Sequence, residues 1–258
     1  MTSMSVGQFH LVGISFSFCF SLMAAATAFF WINRGQVTPN FRATITITGL
    51  VTLIAAYNYF RMFQSWEGAY QVADGTVKAT GVAFNGMFRY ADWVATVPLL
   101  LVELILVMRL PREETISRAT RLSVLAVLMI VLGYPGEVAS ATSTRWIFGI
   151  LSMLPFLWIV YELYSGLGDA ISKQPDDARG LVTTARNLTV YVWFFYPVVY
   201  FVGAVGLDGA TATTIIQIGY TIADLLAKAA FGVLIYMIAV RKSEAEMRSG
   251  GTQPAAAG

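Results

Sequence analysis

The sequence predicts an all-α membrane protein, a seven-transmembrane-helix bundle with its amino terminus outside and its carboxyl terminus in the cytoplasm. Three observations carry that expectation. Of 258 residues, 57% are hydrophobic and 12% charged, and the mean hydropathy is +0.64, whereas a soluble domain carries about 25% charged residues. Seven apolar stretches, 9–32, 43–65, 84–108, 122–141, 146–164, 188–206 and 213–240, each come near the ~20 residues that cross a bilayer. Basic residues fall mostly on alternate connections. Arg34 and Arg42 follow the first span, Arg109, Arg112, Arg118 and Arg121 the third, Lys173, Arg179 and Arg186 the fifth, and Arg241, Lys242 and Arg248 the last. The other side has only Lys78 and Arg145. Short basic connections stay cytoplasmic, which sets the orientation.

Taken in order, span 9–32 has no basic stretch ahead of it and exceeds the apolar core of a signal peptide, so it reads as a retained helix. It holds the single histidine, His10, at its outer start and the single cysteine, Cys19, which excludes an intramolecular disulfide and any multi-cysteine metal site. Between spans two and three, the outer segment 66–83 carries Gly68, Asp74, Gly75 and Gly81, the residues of a short hairpin. Spans four to six are set apart by the basic connections. Residues 1–242 thus form one transmembrane domain, and the small polar residues of 243–258 read as a disordered cytoplasmic tail. A net charge of +2 gives no reason to expect nucleic acid; the basic residues act as topology determinants.

The last span places Lys228 four residues after Asp224 in an otherwise apolar helix. Ionisable groups at bilayer depth are costly and mark working sites by default. At this spacing the two share a face and can pair. A buried lysine also forms Schiff bases readily. The plainer alternative is a structural ion pair between helices.

Span three adds Arg89, Asp92, Thr96 and Glu103. Asp92 and Glu103 are eleven residues apart, about three turns, so they share a face some ~16 Å apart along the helix. With the orientation above, Asp92 lies toward the outside and Glu103 toward the cytoplasm. Asp92 is expected to stay ionised beside Arg89 and a cationic Lys228. Glu103, among Leu99, Leu100, Leu101, Val102 and Leu104, is expected to rest protonated, because desolvation disfavours its charged form. Its alternative is to snorkel toward Arg109. Pro98 reads as a kink.

Arg89-Tyr90-Ala91-Asp92-Trp93 with Thr96, Pro98 and Glu103, joined to Asp224 and Lys228, resembles the microbial (type 1) rhodopsins over the whole chain. Trp193-Phe-Phe-Tyr196-Pro197-Val-Val-Tyr200 is similar to the family's sixth helix, and Gly133-Tyr134-Pro135-Gly136-Glu137 to the proteorhodopsin form of the fourth. The resemblance implies all-trans-retinal bound to Lys228 as a protonated Schiff base, with Asp92 and Asp224 as counterions. It places Trp93, Leu100, Ser152, Phe156, Trp193, Tyr196, Pro197 and Tyr200 around the polyene, Leu100 at the position that accompanies green absorption. Asp92, Thr96 and Glu103 match the outward proton pumps of bacteria: Asp92 as acceptor, Glu103 as cytoplasmic donor, Arg89, Thr96 and Asn58 along the proton path. A transporter of protons in the bacterial inner (plasma) membrane, surrounded by lipid and assembled as a homo-oligomer, is implied rather than an enzyme. A sensory rhodopsin signalling to a membrane transducer is the alternative, against which Glu103 stands. A retinal-free carrier using Asp224 and Lys228 is a third reading.

Two further positions bear on the resemblance. Asn58 occupies the second-helix place of a histidine that pairs with the counterion aspartate in proteorhodopsins and xanthorhodopsins. An amide can hydrogen-bond a carboxylate but cannot titrate. Gly149 matches a glycine that in xanthorhodopsin-like proteins opens a window to the retinal ring for a carotenoid antenna; its alternative is close helix packing. Asp208 and Tyr90 are candidates for the outer release route.

Overall fold

The computed structural model describes residues 4–202, 205 and 209–250. Helix α1 (Val6–Asn33) starts on a capping box, in which Ser5 Oγ accepts from the Gln8 amide and Gln8 reaches back to the Ser5 amide. Pro39 opens α2 (Pro39–Ala69) at the position where a missing N–H costs nothing. Strands β1 (Tyr70–Ala73) and β2 (Thr76–Ala79) pair antiparallel around Asp74-Gly75, both in the left-handed region, so the hairpin expected between spans two and three is present. Then follow α3 (Met87–Met108), α4 (Arg112–Glu137), α5 (Thr142–Tyr161), a π-turn at Glu162–Gly166, the short α6 (Gly168–Ser172) and α7 (Asp176–Phe201). The last span is α8 (Gly209–Asp224), a second π-turn at Leu225–Ala230, and α9 (Phe231–Gly250).

Six of the helical segments are long and apolar enough to cross a membrane, counting the last span as one. Helix α7 completes the seven. It opens with Asp176, Asp177, Arg179 and Arg186, and its apolar half carries Trp193 and three tyrosines, which dilutes its hydropathy without shortening it. The side-chain distribution is that of a membrane bundle. Ile14, Ile32, Val131, Ile150 and Leu154 face outward, while Asp92, Glu103, Asp224 and Lys228 are fully buried. A soluble protein arranges these classes the other way.

Two differences from expectation concern the last span. The helix winds to π geometry where the lysine sits, which an i, i+4 reading does not anticipate. The tail expected to be disordered from 243 is helical as far as Gly250. Ser243 Oγ accepts from the Thr38 amide at 2.9 Å, Glu246 accepts from Thr38 and Asn40, and Arg248 pairs with Asp177 at 3.1 Å. These tertiary contacts override the weak local propensity that the sequence reading relied on. Residues 251–258 of that tail lie outside the described residues.

Candidate functional site

The π-turn directs Lys228 into the bundle, where its Nζ stands 2.7 Å from Asp92 Oδ2 and 2.9 Å from Asp224 Oδ1. The two carboxylates are held unequally. Asp224 accepts from Tyr196 (2.6 Å), Tyr59 (2.8 Å) and the Trp93 indole (3.1 Å) besides the lysine. Asp92 has the lysine alone; its Oδ1 is buried with no partner among the described residues. Thr96, one turn on, spends its hydroxyl on the Asp92 backbone carbonyl at 2.8 Å.

Two expected neighbours of Asp92 lie elsewhere. Arg89 makes no ion pair with either carboxylate among the described residues; it donates to Gln217 Oε1 at 2.9 Å and lies over the Tyr220 ring. Spaced three residues from Asp92 on α3, it points one turn away, and Lys228 supplies the positive charge at the carboxylate instead. Asn58 turns its amide back to the Ile54 carbonyl at 2.9 Å, so the amide serves its own helix. Asp208 lies outside the described residues.

Glu103 does not snorkel. It is fully buried, its Oε2 takes a short hydrogen bond from Thr48 of α2, and its Oε1 has no described partner. Thr48 belongs to a ladder at i, i+4 spacing, Thr44, Thr48 and Thr52, each buried, with Thr52 bonded across to Thr27 of α1 at 2.8 Å.

From Lys228 a largely apolar cavity runs between α3, α4, α5 and α7. Trp93, Leu100, Ser152, Phe156, Trp193, Tyr196, Pro197, Tyr200 and Gly149 all line it. Trp93 meets Tyr196 and Tyr220 edge to face at 5.2 and 5.1 Å, and Ser152 donates to the Met129 carbonyl at 2.7 Å. The glycine at 149 makes room for its neighbours: a Cβ there would stand 2.7 Å from the Phe201 ring and 2.9 Å from Tyr200, so those rings would have to shift. Phe201, itself stacked on Trp146 at 4.5 Å, occupies the space in which an open window was the other expectation.

Tyr59, Gln217, Thr48 and Tyr220 were not foreseen as site residues. Thr48 had a signal in the threonine ladder, and Gln217 lies two turns before Asp224 on one face; Tyr59 had none. Glu137, half-buried at the end of α4, has one buried oxygen without a partner among the described residues. Arg145 donates to its backbone carbonyl.

A bundle of this kind, with an amine flanked by two buried carboxylates at the end of an apolar slot, defines a seven-helix membrane protein with a buried ionisable centre. The chain belongs to the family of bacteriorhodopsin-like proteins, whose model matches residues 10–242, and is a microbial type 1 rhodopsin in a membrane. It is 32% identical over 232 residues to a green-light absorbing proteorhodopsin of the gamma-proteobacterium EBAC31A08, covering 90% of this chain and 87% of that one. Among solved structures, xanthorhodopsin, described as a light-driven ion pump with dual chromophore, superposes with a TM-score of 0.92 at 45% identity, over 96% of this chain and 99% of that one. A thermophilic rhodopsin follows with 0.91 at 41%, over 95% and 99%.

Proposed function

We propose that this rhodopsin is a light-driven outward proton pump, a transporter of the bacterial plasma membrane. The observation that carries the reading is the placement of Lys228 Nζ between two buried carboxylates, with a third, Glu103, dry and eleven residues along α3. The apolar lining, with Lys228 at its end, suits retinal; bound through Lys228 as a protonated Schiff base, it would supply a nitrogen whose proton affinity changes with light. Trp93, Leu100, Phe156, Trp193, Tyr196 and Pro197 hold its chain between rigid apolar walls.

The unequal hydrogen bonding divides the labour of the counterions. Three neutral donors occupy Asp224 and hold it as a fixed anion. Asp92 keeps an oxygen without a partner, so it is the carboxylate that can take the proton from Nζ. Glu103 stores a proton on the other side and returns it. With the basic connections in the cytoplasm, transfer from Glu103 through Lys228 to Asp92 is outward. A sensor has no need of so dry and held a carboxylic acid. The resemblance further implies a homo-oligomer in lipid, and a carotenoid beside Gly149 would have to displace Phe201 and Trp146.

Cells making the chain with all-trans-retinal should acidify an unbuffered medium on illumination, and an uncoupler should abolish the signal. Coloured protein that leaves the medium's pH unchanged would remove the pumping claim and keep the chromophore.

A further inference from the structure

At the basic end of the bundle, α3 stops at Met108 because Arg109 turns into the left-handed region with φ 59°. The last carbonyls of a helix have no partner within it. Here two of them are taken by one ammonium. Lys242 of α9 donates to the Val107 carbonyl at 2.8 Å and the Met108 carbonyl at 3.2 Å, and its remaining bond goes to Gln174 Oε1 at 2.8 Å. Gln174 Nε2 closes the ring by donating to Met108 O at 3.2 Å. Both side chains are buried. Three separate parts of the chain thus meet in one clasp: the end of α3, the connection into α7, and α9.

The clasp forms the floor of a polar cavity whose rim carries exposed Arg109, Asp169 and Lys173. Beneath the floor, Val107 lies one turn, ~6 Å, from Glu103 on α3. Ile45, Leu104 and Ile238 belong with Val107 and Met108 to one buried apolar cluster. Glu103 has a free oxygen and no described polar contact toward the cavity.

We propose that this cavity is the inlet through which Glu103 is reloaded with protons, and that the Lys242–Gln174 clasp is its gate. The proposal rests on the reading of Glu103 as donor. Lys242 acts as a positioning residue: it satisfies the α3 carbonyls that water would otherwise enter to satisfy, and its fixed positive charge opposes an incoming proton. Gln174 stands one residue before the Pro175 that caps α7, so the clasp ties the start of α7 to the end of α3 and to α9.

The test is flash spectroscopy of the retinal-loaded protein in lipid with a pH-indicator dye in the bulk. Loss and recovery of the Schiff-base proton are read from pigment absorbance, and proton uptake from the dye. Lys242→Met and Gln174→Leu should each speed uptake severalfold while leaving proton transfer from Lys228 to Asp92 at the wild-type rate; Lys242→Arg, which keeps charge and donors, should restore it. A clasp that merely caps α3 would change thermal stability and not the uptake rate. Unchanged or slower uptake in both Lys242→Met and Gln174→Leu overturns the gate, and Gln174→Leu keeps the question open to measurement if Lys242→Met does not fold. Glu103→Gln in the same assay separates the two readings, since a wild-type recovery there removes the donor rather than the gate.

Discussion

Tyr59 donates its hydroxyl to Asp224 across 2.8 Å, joining α2 to the last span at the depth of the lysine. Both residues are fully buried. The bond goes to a charged acceptor, for which a loss of about 1.5–3 kcal/mol is typical. Tyr59→Phe removes the donor and little volume. The variant should still bind retinal through Lys228, and the temperature at which its visible absorbance is lost should fall by several degrees. An unaltered bleaching temperature would show that Tyr196 and Trp93 suffice to hold Asp224.

Glu103 has one donor, Thr48, and no charged partner among the described residues. Glu103→Gln keeps that hydrogen bond and removes the proton store. Recovery of the Schiff-base proton should then draw on the bulk, so its rate should fall as pH rises, in proportion to proton concentration. The wild-type rate should be nearly flat over the same range, because an internal donor is loaded before it is needed. Thr48→Val should slow recovery less than Glu103→Gln does. Transient absorbance at several pH values measures all three, and a flat profile for Glu103→Gln contradicts the donor role.

Asn58 stands where its relatives' pattern has a titrating partner for the counterion, but its amide bonds the Ile54 carbonyl. Asn58→Ala should therefore leave the pigment's colour and its pH titration superimposable on wild type. Asn58→His should displace the titration, because it introduces a group that changes charge between about pH 5 and 8. Superimposable curves for the histidine variant would falsify the idea that this position communicates with Asp92 at all.

The seven spans and the hairpin were legible because each depends on local composition: apolar length for the helices, Asp74-Gly75 for the turn. The pairing of Lys228 with Asp224 was legible from spacing, and Asp92 with Glu103 from a shared face. What the sequence hid is set by three-dimensional aim. The distance of three residues from Arg89 to Asp92 suggested contact, but the guanidinium turns to Gln217, 128 residues away. Tyr59 follows Asn58 directly, about 100° further round α2, so its aim at Asp224 could not be read from the motif that drew attention to its neighbour. The helical tail depends on Thr38, Asn40 and Asp177, none of them near it in sequence.

Gly149 ties packing to the question of a second chromophore. The Phe201 edge stands 2.7 Å from where its Cβ would be, closer than real Cβ atoms approach a ring. Overpacking of this kind costs about 1–3 kcal/mol, so Gly149→Ala should bleach at a lower temperature than wild type. Phe201→Ala in the same chain should recover much of the loss, because the clash is with that ring. The single variant Phe201→Ala also opens the face that Phe201 and Trp146 cover. If a hydroxylated carotenoid can reach the slot there, its absorption should appear in the excitation spectrum of retinal emission more strongly in Phe201→Ala than in wild type. Equal carotenoid signals in the two proteins would mean that Phe201 is no barrier, and absence of signal in both would leave Gly149 a packing residue only.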